Sequence, residues 1–102
     1  MNTISRTENQ AVARTVLELD VNNHPGVMSH VVGLFSRRAY NVEGILVMPV
    51  GSGATSRIWL LVNEDQRLEQ MVKQVEKLED VLGVRRHGAE HEVFIRLEEF
   101  FR

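Results

Sequence analysis

The sequence predicts one α+β domain whose strands and helices follow in the order βαββαβ. Its length of 102 residues suits a single domain, and a hydrophobic content of 43% suits one small core. Four stretches carry the apolar pattern of strands, and two others repeat apolar residues every three or four positions, as helices do. The rule for split βαβ units folds this order into a four-stranded antiparallel sheet with two helices on one face, which is the ferredoxin-like arrangement.

The first strand and the first helix follow from two different periods. In the stretch RTVLELDV, Leu17, Leu19 and Val21 alternate with acidic residues, which is typical of a strand with one buried face. From Val27 onward, apolar residues recur at spacings of three and four, which predicts an amphipathic helix. Proline is favoured in a first helical turn, so this helix is predicted to begin at about Pro25.

The second and third strands are joined by a loop. The stretch YNVEGILVMPV is rich in β-branched and apolar residues and ends at Pro49 and Gly51, which predicts a strand over residues 40–50. GSGATS is typical of a flexible loop. The stretch RIWLLV predicts the third strand, with one face formed by Ile58, Leu60 and Val62 and the other by Arg57, Trp59 and Leu61.

The second helix and the fourth strand complete the predicted domain. Within residues 63–80, apolar residues with helical spacing are Leu68, Met71, Val72, Val75 and Leu78. DVLGVRRH predicts a short fourth strand, whereas EVFIRLEEFFR fits a strand and a helical face equally well. We therefore divide the chain into a flexible tail over residues 1–13, a domain over residues 14–88 and a C-terminal extension over residues 89–102 whose structure periodicity does not decide.

Composition excludes several classes of function. The net charge is -2 with both signs interspersed, so the chain has no basic footprint for nucleic acid. Cysteine is absent, which excludes disulfides and thiolate metal sites and fits a cytoplasmic location. No apolar run approaches the roughly 18 residues that a membrane helix needs. We expect a soluble cytoplasmic protein with neither a nucleic-acid nor a membrane partner.

Three other groups of polar residues carry weak signals. His87 and His91 are four residues apart, but Gly88 between them argues against the rigid helix of a zinc pair, so no metal is predicted and solvated histidines are preferred. The arginine pairs at residues 37–38 and 85–86 lack an aromatic stacking platform for RNA, so we interpret them as solvated charge. No set of side chains can be assembled into a catalytic site.

The junction NNHPGV between the first strand and the first helix is richer in polar and turn residues than a simple connection requires. Pro25 lacks an N–H and fits a first helical turn, and Gly26 leaves the backbone N–H groups there uncovered. With the positive end of the helix dipole, these groups form a small site for an anion such as a carboxylate. Asn23 is either a turn and cap residue, which the residues alone favour, or an amide that points at a ligand.

Asn41 and the sheet face of Trp59 and Leu61 are further candidates for contact with other molecules. Asn41 stands at the head of the second strand, where asparagine is unfavourable, and predicts a turn hydrogen bond or a second amide in the cleft of Asn23. Trp59 and Leu61 lie on the sheet face that the two helices leave uncovered, and they are candidates for a partner surface. A homodimer contact is the preferred interpretation of that surface, and a contact with another protein is the alternative.

Two long stretches resemble a known family. NHPGVMSHVVGLFSRRAYNVEGILVMPV and SRIWLLVNEDQRLEQMVKQVEKLEDVLGVRRH, within about residues 14–88, resemble the ACT domain of the small, regulatory subunits of acetohydroxyacid synthase, which is also called acetolactate synthase. In its short length, the chain resembles the valine-sensitive isozyme I type more than the longer subunits. The tail GAEHEVFIRLEEFFR has no close match in this resemblance.

The resemblance implies a non-catalytic subunit that binds and activates a catalytic large subunit and confers feedback inhibition by valine. It implies no cofactor on this chain, with thiamine diphosphate, magnesium and FAD on the catalytic subunit. It also implies a homodimer through ACT domains, with valine bound where they meet, at Asn23, Gly26, Val27 and Asn41. The activating contact is expected from the face of Trp59 and Leu61 or from the C-terminal extension.

Two other functions are weighed against this one. An acylphosphatase-like enzyme on the same fold needs an arginine in the loop after the first strand, and NNHPGV contains none. The second alternative is an amino-acid-sensing ACT module that regulates a different partner, for example in a transcriptional regulator. The absence of a helix-turn-helix pattern from the sequence counts against that version.

Overall fold

The computed structural model describes residues 13–102, so the predicted tail over residues 1–13 lies outside the described residues except for Ala13. The elements are β1 (Arg14–Asn22), α1 (Val27–Arg37), β2 (Val42–Val50), β3 (Thr55–Asn63), α2 (Leu68–Glu76), β4 (Val81–Gly88) and α3 (Glu92–Glu98), followed by one 3-10 turn (Glu99–Phe101). The strands form one antiparallel sheet in the order β2-β3-β1-β4. The predicted ferredoxin-like order is confirmed.

The core lies between one face of the sheet and the helices α1 and α2. The alternating apolar residues of β1 and β3 point to this face because successive side chains of a strand point to opposite sides. Tyr40, which was predicted to begin the second strand, is instead a core residue that is 4% exposed and packs edge-on against Phe35. Fully buried members of the core include Leu17, Leu19, Val21, Val31, Phe35, Ile58, Leu60, Val62 and Val75.

α1 begins later than predicted, and α2 lies within the stretch over residues 63–80 that carries its apolar pattern. α1 begins at Val27 because Gly26 has a φ of 92°, which lies outside the helical range and ends the turn that contains Pro25. α2 begins at Leu68 because the chain is still in β3 at Asn63 and then turns. In that turn, the carboxylate of Asp65 accepts a hydrogen bond of 2.7 Å from the backbone N–H of Arg67.

The C-terminal extension is a helix and not a fifth strand. Residues of α3 and its 3-10 turn lie against the sheet face opposite α1 and α2, which we call the second face. A Cβ built on Gly44 of β2 would lie only 2.7 Å from the ring of Phe94 and 3.3 Å from Leu61. The helical spacing of Phe94, Leu97 and Phe101 directs all three side chains toward the edge of β2.

Candidate functional site

The loop between β1 and α1 leaves the start of α1 open. Gly26 adopts the left-handed conformation that favours glycine, and no side chain caps the helix. A Cβ built on Gly26 would meet no atom within 4 Å. Because the first N–H groups of a helix lack an acceptor within it, this end of α1 has the backbone geometry and the dipole that an anion site uses.

Asn23 connects this loop to the loop between β2 and β3. Its side-chain nitrogen donates a hydrogen bond of 2.7 Å to the carbonyl oxygen of Gly53, and its backbone N–H donates one of 3.1 Å to Ala54. The cap interpretation of Asn23 is therefore wrong, since the start of α1 has no side-chain cap. Val27 is 6% exposed and belongs to the core, and its backbone N–H already donates a hydrogen bond of 3.4 Å to the carbonyl oxygen of His24.

Two acceptors favour the charged form of His24 at the same end of the domain. Its Nδ1 lies 2.8 Å from the carbonyl oxygen of Pro25, and its Nε2 lies 2.6 Å from Oδ1 of Asp80. An acceptor at each ring nitrogen favours the doubly protonated ring, so the Pro25 carbonyl first, and the Asp80 carboxylate second, raise the pKa of His24. In return, the hydrogen bond from His24 lowers the pKa of Asp80.

Asn41 lies at the other end of the sheet, where its side-chain nitrogen is 3.4 Å from Oε2 of Glu43. Asn41 precedes Val42, which pairs with Val62, whereas Asn23 follows Asn22, which pairs with Thr55. Seven positions of β3 separate those two pairs, so the two asparagines are roughly 23 Å apart at about 3.3 Å per residue. One chain therefore does not bring the two amides to a common ligand.

The candidate partner residues Trp59 and Leu61 are not on an open surface. Both are only partly exposed, because α3 and the turn before it lie over them. The ring of His91 stacks on Trp59 at a centroid distance of 4.9 Å and on His87 at 4.6 Å. The interpretation of the two histidines as solvated is therefore wrong, since they fill the space between the second face and the start of α3.

His91 also starts α3. Its Nδ1 accepts a hydrogen bond of 3.2 Å from the backbone N–H of Val93, which makes the imidazole the N-cap of the helix. Phe94, one turn along, contacts Gly44, the one position of β2 where the missing side chain leaves room for the ring. Two contacts on the sheet thus hold α3 in place.

A charge cluster occupies the middle of the second face, where β1, β3 and β4 lie side by side. Its members are Glu18, Asp20, Arg57, Arg85 and His87. Arg85 donates to both carboxylate oxygens of Glu18, at 3.1 and 2.7 Å, and to Asp20 at 2.8 Å. Arg57 donates to Asp20 at 3.0 Å, and Nε2 of His87 lies 2.8 Å from Glu18. Arg85 is exposed, as a solvated charge would be, but it is also bound to two carboxylates, which the sequence did not predict.

The cluster controls the ionisation of Glu18, whose residue is 8% exposed. Hydrogen bonds from Arg85, and then from His87, outweigh the opposing effect of burial and lower the pKa of Glu18 from 4.5 to about 2. The hydrogen bonds of Arg57 and Arg85 likewise outweigh burial and lower the pKa of Asp20. The sequence shows that acidic residues alternate with apolar residues along β1. It does not show that the neighbouring strands place arginines beside them, because that depends on strand pairing.

The described part of the chain contains no cluster of three or more histidine and acidic side chains that could hold a metal ion. Over the same residues, 13–102, no helix is long and apolar enough to cross a membrane. The geometry offers instead an open helix start, two separated amides, and a layered second face made of a charge cluster, aromatic rings and α3.

The strand order and the two helices on one face of the sheet define a small ferredoxin-like α+β domain with an open helix start after β1. A family model described as the AHAS small subunit-like ACT domain matches residues 17–83. The chain therefore belongs to the family of AHAS small subunit-like ACT domains.

Individual relatives narrow this assignment. The chain is 54% identical over 95 residues to the acetolactate synthase isozyme 1 small subunit of Escherichia coli (strain K12), a match that covers 93% of this chain and 99% of the relative. It is 41% identical over 76 residues to the isozyme 3 small subunit of the same strain, where the match covers 74% of this chain and 47% of the relative. The resemblance predicted from the sequence, to a short, non-catalytic small subunit, is confirmed.

Solved structures support the same assignment. The acetolactate synthase small subunit from Thermotoga maritima matches with a TM-score of 0.68 and 34% identity, over 78% of this chain and 50% of that one. The ACT domain from GTP pyrophosphokinase of Chlorobium tepidum matches with a TM-score of 0.63, over 76% of this chain and all of that one. At 14% identity, that second likeness shows the fold alone.

Proposed function

We propose that this chain binds and activates a thiamine-diphosphate-dependent catalytic subunit of acetolactate synthase and makes that subunit sensitive to inhibition by valine. The observation that carries the proposal is 54% identity, over nearly the whole of both chains, to a protein named as an acetolactate synthase small subunit. In this proposal the chain carries no cofactor, and thiamine diphosphate, magnesium and FAD belong to the catalytic chain.

The free edge of β2 supports a homodimer. β2 and β4 are the two edge strands, and each pairs with one neighbour only. β4 carries Arg86, an exposed basic residue, and basic side chains on an edge oppose pairing with a like strand. β2 has a single charged residue, Glu43, and exposes the apolar side chains of Ile45 and Met48. We therefore pair β2 with β2 of a second copy.

This pairing joins the two distant amides. The middle residue of β2 is Leu46, so an antiparallel pair that overlaps fully about Leu46 sets Asn41 of one copy opposite Gly51 of the other. Gly51 lies in the loop between β2 and β3, whose Gly53 accepts the hydrogen bond from Asn23. Asn41 of one copy and Asn23 of the other thus lie toward the same end of the seam, on opposite sides of it, and a two-fold axis makes two equivalent sites.

Valine has the groups that such a site can hold. Its carboxylate suits the open start of α1 beside Gly26 and Val27, and hydrogen bonds to a charged group are each worth about 1.5–3 kcal/mol. The amides of Asn23 and Asn41 offer oxygen acceptors to its ammonium group. Met28, which packs partly against the core beside this end of the domain, supplies apolar surface for its branched side chain.

Substitution of the two asparagines tests the valine site. We expect Asn23→Ala and Asn41→Ala each to weaken valine inhibition of the reconstituted enzyme by about 10- to 100-fold, the range that corresponds to about 1.5–3 kcal/mol. Activation of the catalytic subunit should remain within about twofold of the wild-type value. Gln70→Ala, which removes an exposed amide from α2, is the matched control and should keep full valine inhibition.

Two results would contradict the proposal. Calorimetry that detects no valine binding, to the isolated chain or to its complex with the catalytic subunit, excludes valine as the effector. Full inhibition of both alanine variants excludes this site. Recovery of the chain from a native extract with a large partner other than an acetolactate synthase would instead support the alternative, an ACT module that regulates a different protein.

The surface for the catalytic subunit is proposed on the second face. Trp59 and Leu61 lie partly beneath α3. A partner that approaches the second face would therefore contact the outer side of α3 first. Removal of residues 92–102 tests this assignment through the activation of the catalytic subunit. Unchanged activation would exclude α3 as the contact.

A further inference from the structure

α3 crosses the second face and ends at the free edge of β2. It begins above β3 and β4, where His91 stacks on Trp59 and His87. It then passes over Gly44, which contacts Phe94. Its last turns border a groove of about 340 Å³ whose walls include Glu43, Ile45, Leu97 and Phe101. The C-terminal residues of the chain therefore lie at the free edge of β2.

The two aromatic residues at that position are almost fully exposed. Phe100 is 83% exposed and Phe101 is 82% exposed. A phenylalanine that packs in a core or an interface buries about 150–250 Å². Two adjacent exposed rings are therefore an apolar surface that a contact would bury, and a strand added to β2 would extend the sheet toward them.

Met48 of β2 is an exposed apolar side chain on the second face, the face against which α3 packs. It pairs with Arg57, and Gly44 pairs with Leu61, so both lie on the second face by the alternation of β3. Met48 is 60% exposed. In a β2 pair that overlaps fully about Leu46, Gly44 of one copy is opposite Met48 of the other, so the end of α3 from one copy lies beside Met48 of the next.

The surface area that a stable dimer must bury also favours a second copy of the chain as the partner of Phe100 and Phe101. A stable interface buries about 800 Å² on each partner. A single edge strand with two exposed apolar side chains, Ile45 and Met48, offers only part of that area. Burial of Phe100 and Phe101 would add roughly 300 Å² for each copy, and it would continue the contact of the two strands without a gap.

We propose that the C-terminal segment over residues 99–102 is a clasp between two copies of the chain, in which Phe100 and Phe101 of each copy pack on Met48 of the other. The inference rests on the proposed pairing through β2. It adds a contact that the pairing of strands does not itself supply, and it gives the C-terminal extension a role in assembly.

The dissociation constant of the dimer tests the clasp. The double variant Phe100→Ser with Phe101→Ser removes two side chains that are exposed in a single chain, so its monomer should fold normally. Aromatic residues are enriched among the side chains whose removal weakens an interface most, and each dimer has two clasps, so Kd measured by sedimentation should rise at least about 100-fold. Leu82→Ser removes an apolar side chain that is 58% exposed on the other edge strand, and should leave Kd within about twofold.

A double-mutant cycle tests the proposed partner residue. Met48→Ser should also raise Kd, and its effect should be largely lost when Phe100 and Phe101 are already serine, because the two substitutions break the same contact. Additive effects, an unchanged Kd in the double variant, or a wild-type chain that stays monomeric would each overturn the clasp.

The same variants separate the clasp from the proposed function. If the double serine variant keeps the wild-type Kd but no longer activates the catalytic subunit, the two rings contact that subunit and the clasp is wrong. If the double serine variant weakens the dimer while Asn23→Ala and Asn41→Ala keep full valine inhibition, the clasp stands and the proposed valine site is wrong.

Discussion

Replacement of Glu18 by glutamine tests the charge cluster on the second face. Glutamine keeps the shape of the side chain and removes its negative charge, so Arg85 loses the stronger of its two acidic partners. At pH 7 the carboxylate of Glu18 is ionised in the folded and the unfolded chain, and the hydrogen bonds in the folded chain stabilise it. We expect Glu18→Gln to lower the free energy of unfolding at this pH.

The magnitude follows from the pKa of Glu18, which falls from 4.5 to about 2 on folding. Each pKa unit is worth about 1.4 kcal/mol, so the ionised carboxylate contributes about 3 kcal/mol. The side chain is 10% exposed, so solvent screening reduces this value little. For a domain of this size, a loss of about 3 kcal/mol lowers Tm by roughly 10–20 °C.

The dependence on pH is the sharper part of this prediction. The folded pKa is the lower one, so the contribution is complete above about pH 5 and is lost as the pH falls toward 2. Urea unfolding at equal chain concentration, from pH 7 to pH 3, should therefore show a difference between wild type and Glu18→Gln that shrinks as the pH falls. Glu69→Gln, which changes an exposed acid on α2, is the matched control and should show no such trend.

Two outcomes would refute the reasoning about Glu18. A loss of less than about 1 kcal/mol at pH 7 would mean that the desolvation of the carboxylate cancels its hydrogen bonds. A loss that stays constant between pH 7 and pH 3 would mean that glutamine disturbs packing, because only an effect of charge follows the titration of the carboxylate.

Three further predictions concern the loops and α3. Gly44→Ala places a Cβ about 2.7 Å from the ring of Phe94, so α3 should detach and limited proteolysis should cut the C-terminal residues faster, and equal rates would contradict the contact. Gly26→Ala should cost about 1 kcal/mol in urea unfolding from its φ of 92° alone, since its Cβ meets no atom within 4 Å. Asp80→Asn should lower the pKa of His24 in an NMR titration without restoring its ordinary value, because the Pro25 carbonyl remains. The ion pair stabilises the fold below the ordinary histidine pKa and is lost as the pH rises through the raised value.

The fold could be predicted because its signals are local. The alternation of Leu17, Leu19 and Val21 identifies a strand within eight residues, and helical spacing identifies α1 and α2 within one or two turns. The predicted start of α1 was wrong because a single residue controls the backbone there. Gly26 moved the start of α1 to Val27, and no periodic pattern reports a φ of 92°.

The second face could not be predicted because its contacts join distant parts of the chain. Glu18 and Arg85 alternate correctly in their own strands, but only the register of β1 with β4 puts one opposite the other. The position of α3 depends on a glycine in β2 and a ring 50 residues later, at Gly44 and Phe94. The open helix start at Gly26 could be predicted from adjacent residues, whereas the separation of Asn23 from Asn41 required the direction of every strand.

In the proposed two-chain site, the separation of Asn23 from Asn41 makes the response to ligand depend on the concentration of the chain. A ligand that contacts both amides needs two chains, so the number of complete sites falls with the square of the chain concentration once the pair dissociates. Dilution alone would then remove sensitivity to the ligand while every chain stays folded. Assays of the proposed valine inhibition would then be comparable only at a stated chain concentration, and a cell that makes too little of this chain would lose the proposed response while the chain is still present.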